Sequence, residues 1–579
     1  MSEDRKSAVK EKLEILRHSA SHILAQAVKR LFPEAKLGIG PPIKDGFYYD
    51  FEIEGETLSR NLSRIKEEME RIVKEDLPFR KELVSKEEAK KIFKERNEPY
   101  KLELLEEIED EEVSLYWQGE FVDLCRGPHV ESTGKVRHFA LLSVAGAYWR
   151  GKEGNPMLSR VYGTCFFSKE ELEDYLKKIE EAKNRDHRKI GKELEIFDIY
   201  PELGAGLAVY HHKGSVLRDI IENFEKEEHI KRGYQLVRTP HISKAGLWKL
   251  SGHLDFYREN MYVFSVNGEE YVLKPMNCPA HIMVYKSKQR SYRDLPLRLF
   301  ELGTVYRREA SGVLHGLLRL RGFTQDDAHI FCMPSQLVEE VRRVLQFSFF
   351  MMNTFKLGYK VTLSTRPQKA IGSDEIWEKS TDALRQALEK EGVDFEIAPG
   401  EGAFYGPKID IKMEDALGRL WQGPTIQVDF NLPERFDLTY IASGGEKKRV
   451  VMIHRVVLGA IDRFLGVLIE HLGGKFPVWL APVQVKILTI TDKEIPYAAE
   501  VYSKIKQEKI RVELDSRKEM ISYKIREAQL EKVPYMVILG KKEKEKGTLT
   551  IRKRDGENIK DVSIQEFIKM VKEKITLKS

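Results

Sequence analysis

Residues 300–331 read FELGTVYRREASGVLHGLLRLRGFTQDDAHIF, and this stretch decides the fold. It opens as a strand, passes through a Gly-containing loop and returns as a second strand. Arg307, Arg308, Glu309, Arg319 and Arg321 gather around that loop. An arginine fork grips phosphate bidentately and cannot lose its charge. Taken singly, an arginine is more often a surface ion pair, and Arg308 keeps that reading. Two further blocks stand on either side. GYQLVRTPHI, residues 233–242, is a strand reaching Pro240, and VMIHRVVLGAIDRFLGVLIE, residues 451–470, is a strand end feeding a helix that carries Arg463.

Around these blocks, a region from about Ile196 to Lys475 mixes strand-like stretches with helical ones at 216–231, 335–352 and 456–472, so antiparallel strands with helices are expected. Before it, residues 10–31 carry helical periodicity and residues 57–97, charged with spaced apolar positions, should be helical. A compact mixed segment runs to residue 168, and residues 169–193 read as one polar connector helix. After residue 475, helices and strands alternate as in a small α/β domain with parallel strands, and KKEKEKG reads as a solvated turn.

A chain of 579 residues is too long for one core and implies three or four domains. Hydrophobic residues make up 41% and charged residues 33%, the composition of a soluble protein with a charged surface. Lys+Arg number 97 against 92 Asp+Glu, a net +5, so nucleic-acid binding requires that basic residues cluster on one face. Four irregularly spaced cysteines make no disulfide framework. The charged N-terminus is no signal peptide, and no apolar run of about 18 residues predicts a membrane span. A cytoplasmic location is expected.

With KPMNCPAHI, RGFTQDDAHIF, GAFYGPKID and VMIHR together, the chain resembles the class II aminoacyl-tRNA synthetases, and within them the threonyl-tRNA synthetases, over nearly its whole length. The resemblance implies an α+β multidomain protein: an α+β editing domain over 1–168, a linker helix over 169–193, a class II antiparallel-sheet catalytic core over 194–475, and an α/β anticodon-binding domain over 476–579. It implies a ligase that activates threonine with ATP and Mg²⁺, passes it to tRNA(Thr), and hydrolyses mischarged seryl-tRNA. It also implies a homodimer. Arg307 and Arg463 are the expected catalytic cations on the ATP phosphates; Glu309, Arg319, Phe323, Gln422 and Thr425 complete the ATP site. Charge spreads over the α-phosphoryl group during the displacement, and fixed cations aimed at it are the main catalytic tool.

Cys278, His329 and His454 lie far apart and by spacing alone make no metal motif; separately each reads as a buried thiol or a satisfied histidine. The resemblance makes them the ligands of one Zn²⁺ per subunit, with a fourth position open. Met276, Gln325, Asp327, Tyr405 and Gln427 would line the threonine pocket; Cys332 is a core or near-site thiol. The sequence departs from some relatives at Ala460, where they carry Ser, and in WQGPTIQ, which lacks their Cys.

Serine lacks only a methyl group, a difference of about 1–3 kcal/mol, so a pocket that accepts threonine accepts some serine and a second, hydrolytic site is required. His18 and His22, four apart on a helix, share a face. Alone, such a pair is more often a polar helix face. With FVDLCRGPH present, the set resembles the editing site of bacterial-type threonyl enzymes, with His18, His22, Lys101, Asp123, Cys125 and His129 around the seryl ester. Water positioned by side chains and water positioned by a metal both stay open. The longer form of the family has a small ubiquitin-like domain before this one; here the sequence starts almost at the editing helix.

PVWLAPVQV and YKIREAQLEKVPYM match the anticodon-binding domain, where Lys518, Glu543 and Arg552 are the expected base contacts. A prolyl or seryl enzyme fits worse, because QDDAH and the Cys/His/His set belong to the threonyl pattern. An inactive RNA-binding regulator would have lost Arg307 or Arg463, and an intact ligation core argues against a free-standing editing factor. In ATP–pyrophosphate exchange, threonine should be used strongly, serine more weakly and valine not at all, since a site built around a hydroxyl rejects its absence by roughly 10⁴–10⁵. Exchange with proline, or equal use of valine, would show the pocket to be misassigned.

Overall fold

The computed structural model describes residues 3–54, 57–152 and 154–578. The outermost residues of the expected first and last domains, 1–2 and 579, lie outside these. The chain divides into two compact units, Met1–Glu181 and Ala182–Ser579.

In the first unit the helix Glu3–Leu31 buries Leu16, Ala20, Ile23, Leu24 and Ala27 against Phe47 and Phe51 and against Ile65, Met69 and Ile72 of the helix Leu62–Glu75. Its sheet is antiparallel, in the order Lys36–Leu37, Gly46–Glu52, Met157–Phe166, His138–Tyr148. A second sheet of Arg80–Ser85, Glu112–Gln118 and Phe121–Leu124 carries the helices Lys86–Glu95 and Pro99–Glu107. The segment 57–97 is therefore not helical throughout. Asp76 takes a left-handed conformation (φ 52°) that ends one helix, and the strand Arg80–Ser85 pairs with Glu112–Gln118 before the next helix begins at a Ser85 cap.

The second unit is built on an eight-stranded sheet ordered Gln235–Leu236, Leu297–Tyr306, Gly322–Cys332, Val451–Val456, Leu420–Asp429, Lys408–Glu414, Gly358–Ser364, Phe395–Ala398. Only the two outermost pairings are parallel. The helices Leu337–Thr354 and Asp374–Lys390 pack Val341, Val344, Leu345, Leu384 and Leu388 on one face, against Ala328, Ile330, Ile409, Ile411, Ile426, Val428 and Ile453. Strand side chains alternate, so the residues between these point the other way. Those residues are Phe323, Gln325, Asp327 and His329 on one strand, Thr425, Gln427 and Asp429 on another, and His454 and Val456 between them.

The expected connector helix is two helices, Lys169–Asn184 and His187–Glu193, because the Asp186 carboxylate accepts the Arg188 N–H and starts a new helix. The helix expected over 456–472 begins at Ile461; residues 457–459 instead give three backbone N–H groups to the Asp326 carboxylate. The C-terminal sheet is mixed rather than parallel. Val512–Asp515, Val485–Thr489 and Tyr535–Leu539 run parallel, while Leu549–Lys553 and Asn558–Val562 add antiparallel strands. KKEKEK is a short helix, Lys541–Lys546, started by the Glu543 carboxylate accepting the Gly540 N–H and ended by left-handed Gly547. Among the described residues no helix is long and apolar enough to cross a membrane, and all four cysteines are free.

Gly214, on the helix His212–Lys231, sits where an added Cβ would lie 1.9 Å from the Ile196 carbonyl oxygen. Alanine favours a helix over glycine by about 1 kcal/mol, but displacing backbone in a packed core costs roughly 1–3 kcal/mol. Gly214→Ala should therefore lower the melting temperature; a rise would show that helix propensity wins.

Candidate functional site

A cavity of about 390 Å³ opens on the polar face of the large sheet. Met276, Cys278, Arg307, Phe323, Gln325, Asp327, His329, Tyr405, Gln422, Thr425, Gln427, His454 and Arg463 all line it, although they span almost 190 residues of sequence by roughly the whole core. Ala460 lines it too.

One end is cationic. The Arg307 guanidinium stands 5.1 Å from the Phe323 ring centroid, and its Nε–H donates to the Pro275 carbonyl. Arg463 donates from Nε to the Leu318 carbonyl at 3.1 Å. Burial, then the like charges of Arg307 and Arg319, holds the Arg463 guanidinium below its ordinary pKa. Glu309 is the one carboxylate acting on this group from nearby, and it is paired with Arg319 at 2.9 Å. Glu309 and Arg319 are thus engaged with each other and do not line the cavity. Uncompensated buried positive charge is unfavourable unless an anion joins it. Gln422, by contrast, is pre-set: its amide donates to Asp410 Oδ1 at 2.7 Å and to Thr425 Oγ1 at 2.9 Å. Arg308 is exposed.

The other end carries metal donors. Cys278 opens the helix Cys278–Lys286, and strand register sets His329 opposite His454 and His454 opposite Gln427. Donor atoms of Cys278, His329 and His454 all fall within 4.8 Å of one another. Tetrahedral bonds of 2.0–2.3 Å place ligand atoms roughly 3.3–3.8 Å apart, so the set fits such an ion.

The hydrogen bonds fix the tautomers. His454 Nε2 lies 2.9 Å from the Asp429 carboxylate, which can only accept, so Nε2 carries the hydrogen and Nδ1 a lone pair. His281 Nε2 donates to Glu301 at 3.2 Å, leaving His281 Nδ1 to accept from His329 Nδ1 at 2.8 Å. His329 Nε2 is then a lone pair, 3.1 Å from His454 Nδ1. Two facing lone pairs repel unless a cation lies between them. Burial, together with His281 and His454, holds His329 well below its ordinary pKa, so a proton does not supply that cation. Asp327 is anchored beside them by the Asn277 amide at 3.0 Å. Cys332 faces the helices, in the apolar core.

The first unit holds a second cluster. His18 and His22, on one helix face, meet Cys125 and His129 from the loop after the strand Phe121–Leu124. Cys125 Sγ is 3.3 Å from both His18 Nε2 and His129 Nε2, and the donor atoms of all four residues fall within 4.8 Å. Burial pushes the Cys125 thiol up to about 12, so without a metal it is no nucleophile. Burial first, then neighbouring histidines, lowers His129, and burial lowers His18. Both therefore stay neutral and able to accept a proton from water. Beneath them Lys101 and Asp123, each 2% exposed, form an ion pair, and Tyr49 bridges it, donating to Asp123 at 2.6 Å and accepting from Lys101 at 3.0 Å.

The three expected anticodon residues are less alike. Lys518 is exposed and 3.5 Å from Asp492. Glu543 is occupied by the Gly540 N–H and the Thr550 hydroxyl. Arg552 reaches Asn558 at 3.4 Å while its Nε lacks a partner.

Sequence reading missed Tyr49, Ser19 (3.2 Å from His129 Nδ1), Asn277, His281, Glu301, Asp410 and Asp429. Some left a trace: Asn277 precedes Cys278, His281 follows it by one helical turn, and Asp429 lies two strand positions after Gln427, on the same face. Tyr49, Asp410 and Glu301 left none.

Comparison with known proteins agrees with this geometry. Residues 261–472 match the tRNA synthetase class II core domain (G, H, P, S and T), residues 484–574 an anticodon binding domain, and residues 113–162 the threonyl and alanyl tRNA synthetase second additional domain. The chain is 56% identical over 565 residues to a threonine–tRNA ligase of Citrifermentans bemidjiense, covering 98% of this chain and 89% of that protein. It is 55% identical over 569 residues to one from Dehalococcoides mccartyi, covering 98% and 97%. Among solved structures, the RNA binding domain of threonyl-tRNA synthetase from Cryptosporidium parvum superposes with a TM-score of 0.65 at 40% identity, covering 67% of this chain and 98% of that one. A putative threonyl-tRNA synthetase from Aeropyrum pernix gives 0.61 at 34% identity, covering 68% and 96%. With a cationic cleft and three metal donors in one cavity, a separate His/Cys site, and near full-length similarity to these ligases, the chain belongs to the threonyl-tRNA synthetase family.

Proposed function

We propose that the central cavity joins threonine to ATP and then to tRNA(Thr), and that the His/Cys cluster of the first unit hydrolyses seryl-tRNA(Thr). The chain is a threonine–tRNA ligase of class II with an editing domain; the residue roles are our reading. One observation carries it: a single cavity offers uncompensated arginine charge at one end and three convergent metal donors at the other.

In this reading ATP, with Mg²⁺, lies over Arg307, Phe323 and Arg463, held also by Gln422 and Thr425, and Glu309 and Arg319, paired with each other outside the cavity, reach it only on release of that pair. The threonine carboxylate attacks the α-phosphorus, the bond to the bridging oxygen breaks, and pyrophosphate leaves. Arg307 faces the charge that grows on the α-phosphoryl oxygens, and Arg463 the departing phosphates. Arg463 is already largely removed from water and Arg307 is held by the Pro275 carbonyl, so little reorganisation is needed as charge develops. Zn²⁺ held by Cys278, His329 and His454 would supply a Lewis acid for threonine's amino and hydroxyl groups. Asp327, fixed by Asn277, accepts from the hydroxyl, and Met276, Gln325, Tyr405 and Gln427 bound the side chain. Valine has no hydroxyl to give Asp327 and would leave the carboxylate oxygen not bound by Asn277 without a donor from the substrate.

At the second site the neutral imidazoles of His18 and His129 orient a water toward the seryl carbonyl, and Lys101 and Asp123 hold the site's floor. The proposal carries with it domains at 1–168, 169–193, 194–475 and 476–579, one zinc per subunit, anticodon contacts by Lys518, Glu543 and Arg552, and a cytoplasmic homodimer. Exposed Ile230, Leu236 and Ile242 around the first class II motif support a covered surface there.

The test is threonine-dependent ATP–pyrophosphate exchange with the zinc content of the protein measured before and after chelation. Loss of exchange with loss of one zinc per chain is expected; full exchange by metal-free protein would overturn the metal assignment. Two variants sharpen it. Asp429 Oδ1 also accepts the Asn431 and Leu432 N–H groups. In Asp429→Asn the amide oxygen stays with them, its NH₂ turns to His454, and the imidazole is driven to the tautomer without a free Nδ1. Zinc retention against a graded chelator should fall about 10–100-fold. Tyr49→Phe removes a hydrogen bond to a buried carboxylate, costing about 1.5–3 kcal/mol of stability. It should also slow seryl-tRNA hydrolysis roughly tenfold or more through misplacement of Lys101 and Asp123, with threonine exchange unchanged. Unaltered hydrolysis would remove that pair from the site.

A further inference from the structure

The imidazole of His187 belongs neither to the cavity lining nor to the His/Cys cluster, yet it is fully buried and hydrogen-bonded at both ring nitrogens. It opens the helix His187–Glu193. Its Nε2 lies 3.0 Å from the backbone nitrogen of Leu317, which can only donate, so Nε2 is the acceptor. Nδ1 then carries the hydrogen and donates to Glu470 Oε1 at 2.6 Å, and the His187 backbone N–H donates to the same oxygen at 3.1 Å. Glu470 is also bound by Arg419.

Glu470 and Arg463 belong to one helix, Ile461–Leu472, and seven residues separate them, so they share a face. Arg463 Nε donates to the carbonyl of Leu318, the residue after Leu317. The loop between the two strands of residues 300–331 is thus gripped at adjacent residues: at the Leu317 N–H by His187 and at the Leu318 C=O by Arg463. Leu317 and Leu318 are buried with Ile190, Leu194, Leu465 and Leu468 in one apolar core. Arg185 adds a bond to the His471 carbonyl at 2.9 Å. The preceding residue, Gly316, has φ +47°, and a Cβ there would fall 2.1 Å from His187 Nε2. The loop approaches the imidazole as closely as a glycine allows.

We propose that His187 is a positioning residue for ATP. By holding Leu317 against Glu470, it fixes the carbonyl of Leu318 on which the Arg463 guanidinium is oriented, and so sets Arg463 toward the phosphates. A chain of one imidazole, one loop peptide and one guanidinium ties the connector helix to the ATP end of the cavity. Threonine's end is lined from farther along the strand that follows this loop, by Gln325, Asp327 and His329, and these are held by pairing with Leu297–Tyr306 and Val451–Val456 rather than by the His187 contact. The inference rests on the assignment of Arg463 to the ATP phosphates.

The experiment is threonine-dependent ATP–pyrophosphate exchange on the full chain, with KM for ATP and for threonine measured separately for His187→Ala, His187→Gln, Gly316→Ala, the double variant of His187→Ala with Gly316→Ala, and Arg463→Ala. His187→Ala should raise KM for ATP roughly tenfold or more and change KM for threonine less than about twofold. His187→Gln, whose amide can accept the Leu317 N–H, should recover most of the loss. Gly316→Ala should also raise KM for ATP. Its effect should shrink once His187 is Ala, because the added methyl group then meets a vacated space. His187→Gln and the single Gly316→Ala variant keep the test decisive if His187→Ala folds poorly: an ATP KM unchanged in Gly316→Ala would then overturn the proposal. An ATP KM unchanged in His187→Ala while Arg463→Ala raises it would overturn the proposal alone. Equal loss for both substrates, or identical Ala and Gln variants, would reduce His187 to a structural residue. Normal ATP use by Arg463→Ala would instead overturn the assignment of Arg463.

Discussion

Everything in the catalytic unit depends on the register of three antiparallel strands, Gly322–Cys332, Val451–Val456 and Leu420–Asp429. Their pairing sets His329 against His454 and His454 against Gln427, and strand alternation turns those three toward the cavity while Ala328, Ile330, Ile453, Ile426 and Val428 turn toward the helices. A slip of one residue in any strand would exchange the faces, burying histidines among leucines and opening isoleucines to the cavity. The apolar core therefore holds the cavity-lining residues in register, and burial of one face is the price of order on the other.

Buried charge is arranged differently at the two sites. In the cavity, arginines crowd together with little carboxylate to answer them, which is unfavourable alone and favourable with a polyphosphate present. In the first unit, Lys101 and Asp123 are paired, bridged by Tyr49, and closed to solvent. One site is poised for an anion that arrives, while the other holds a finished ion pair beneath neutral imidazoles. The difference suits a ligand that carries charge into the pocket in one case, and an ester bond that acquires charge only during hydrolysis in the other.

Hydrogen bonds between residues far apart in sequence set protonation states as well as geometry. Asp429 selects the tautomer of His454, and Glu301 acts through His281 on His329. Glu470 orients His187, which in turn receives the Leu317 N–H. In each case a carboxylate acts through an imidazole on a third group, so the residues nearest the chemistry are only part of what makes it possible.

The sequence by itself determined the family and the residue types of both sites. Cys278, His329, His454, Arg307 and Arg463 stood in motifs specific enough to name together, and all of them line one cavity. It also determined that a serine-tolerant pocket needs a second site, since that follows from the size of a methyl group. What only the tertiary structure decided is how those residues are held. The strand Arg80–Ser85 was hidden among charged residues because its partner, Glu112–Gln118, supplies the pairing. The connector divides at Asp186 because its carboxylate accepts the Arg188 N–H and caps a second helix there. Tyr49, Asp410 and Glu301 carry no local signature, since an alternating strand looks the same whether its polar residue meets water or a buried partner. Periodicity reports which face of an element is apolar, whereas the partners of a polar group depend on strand register and helix packing, which are properties of the whole fold.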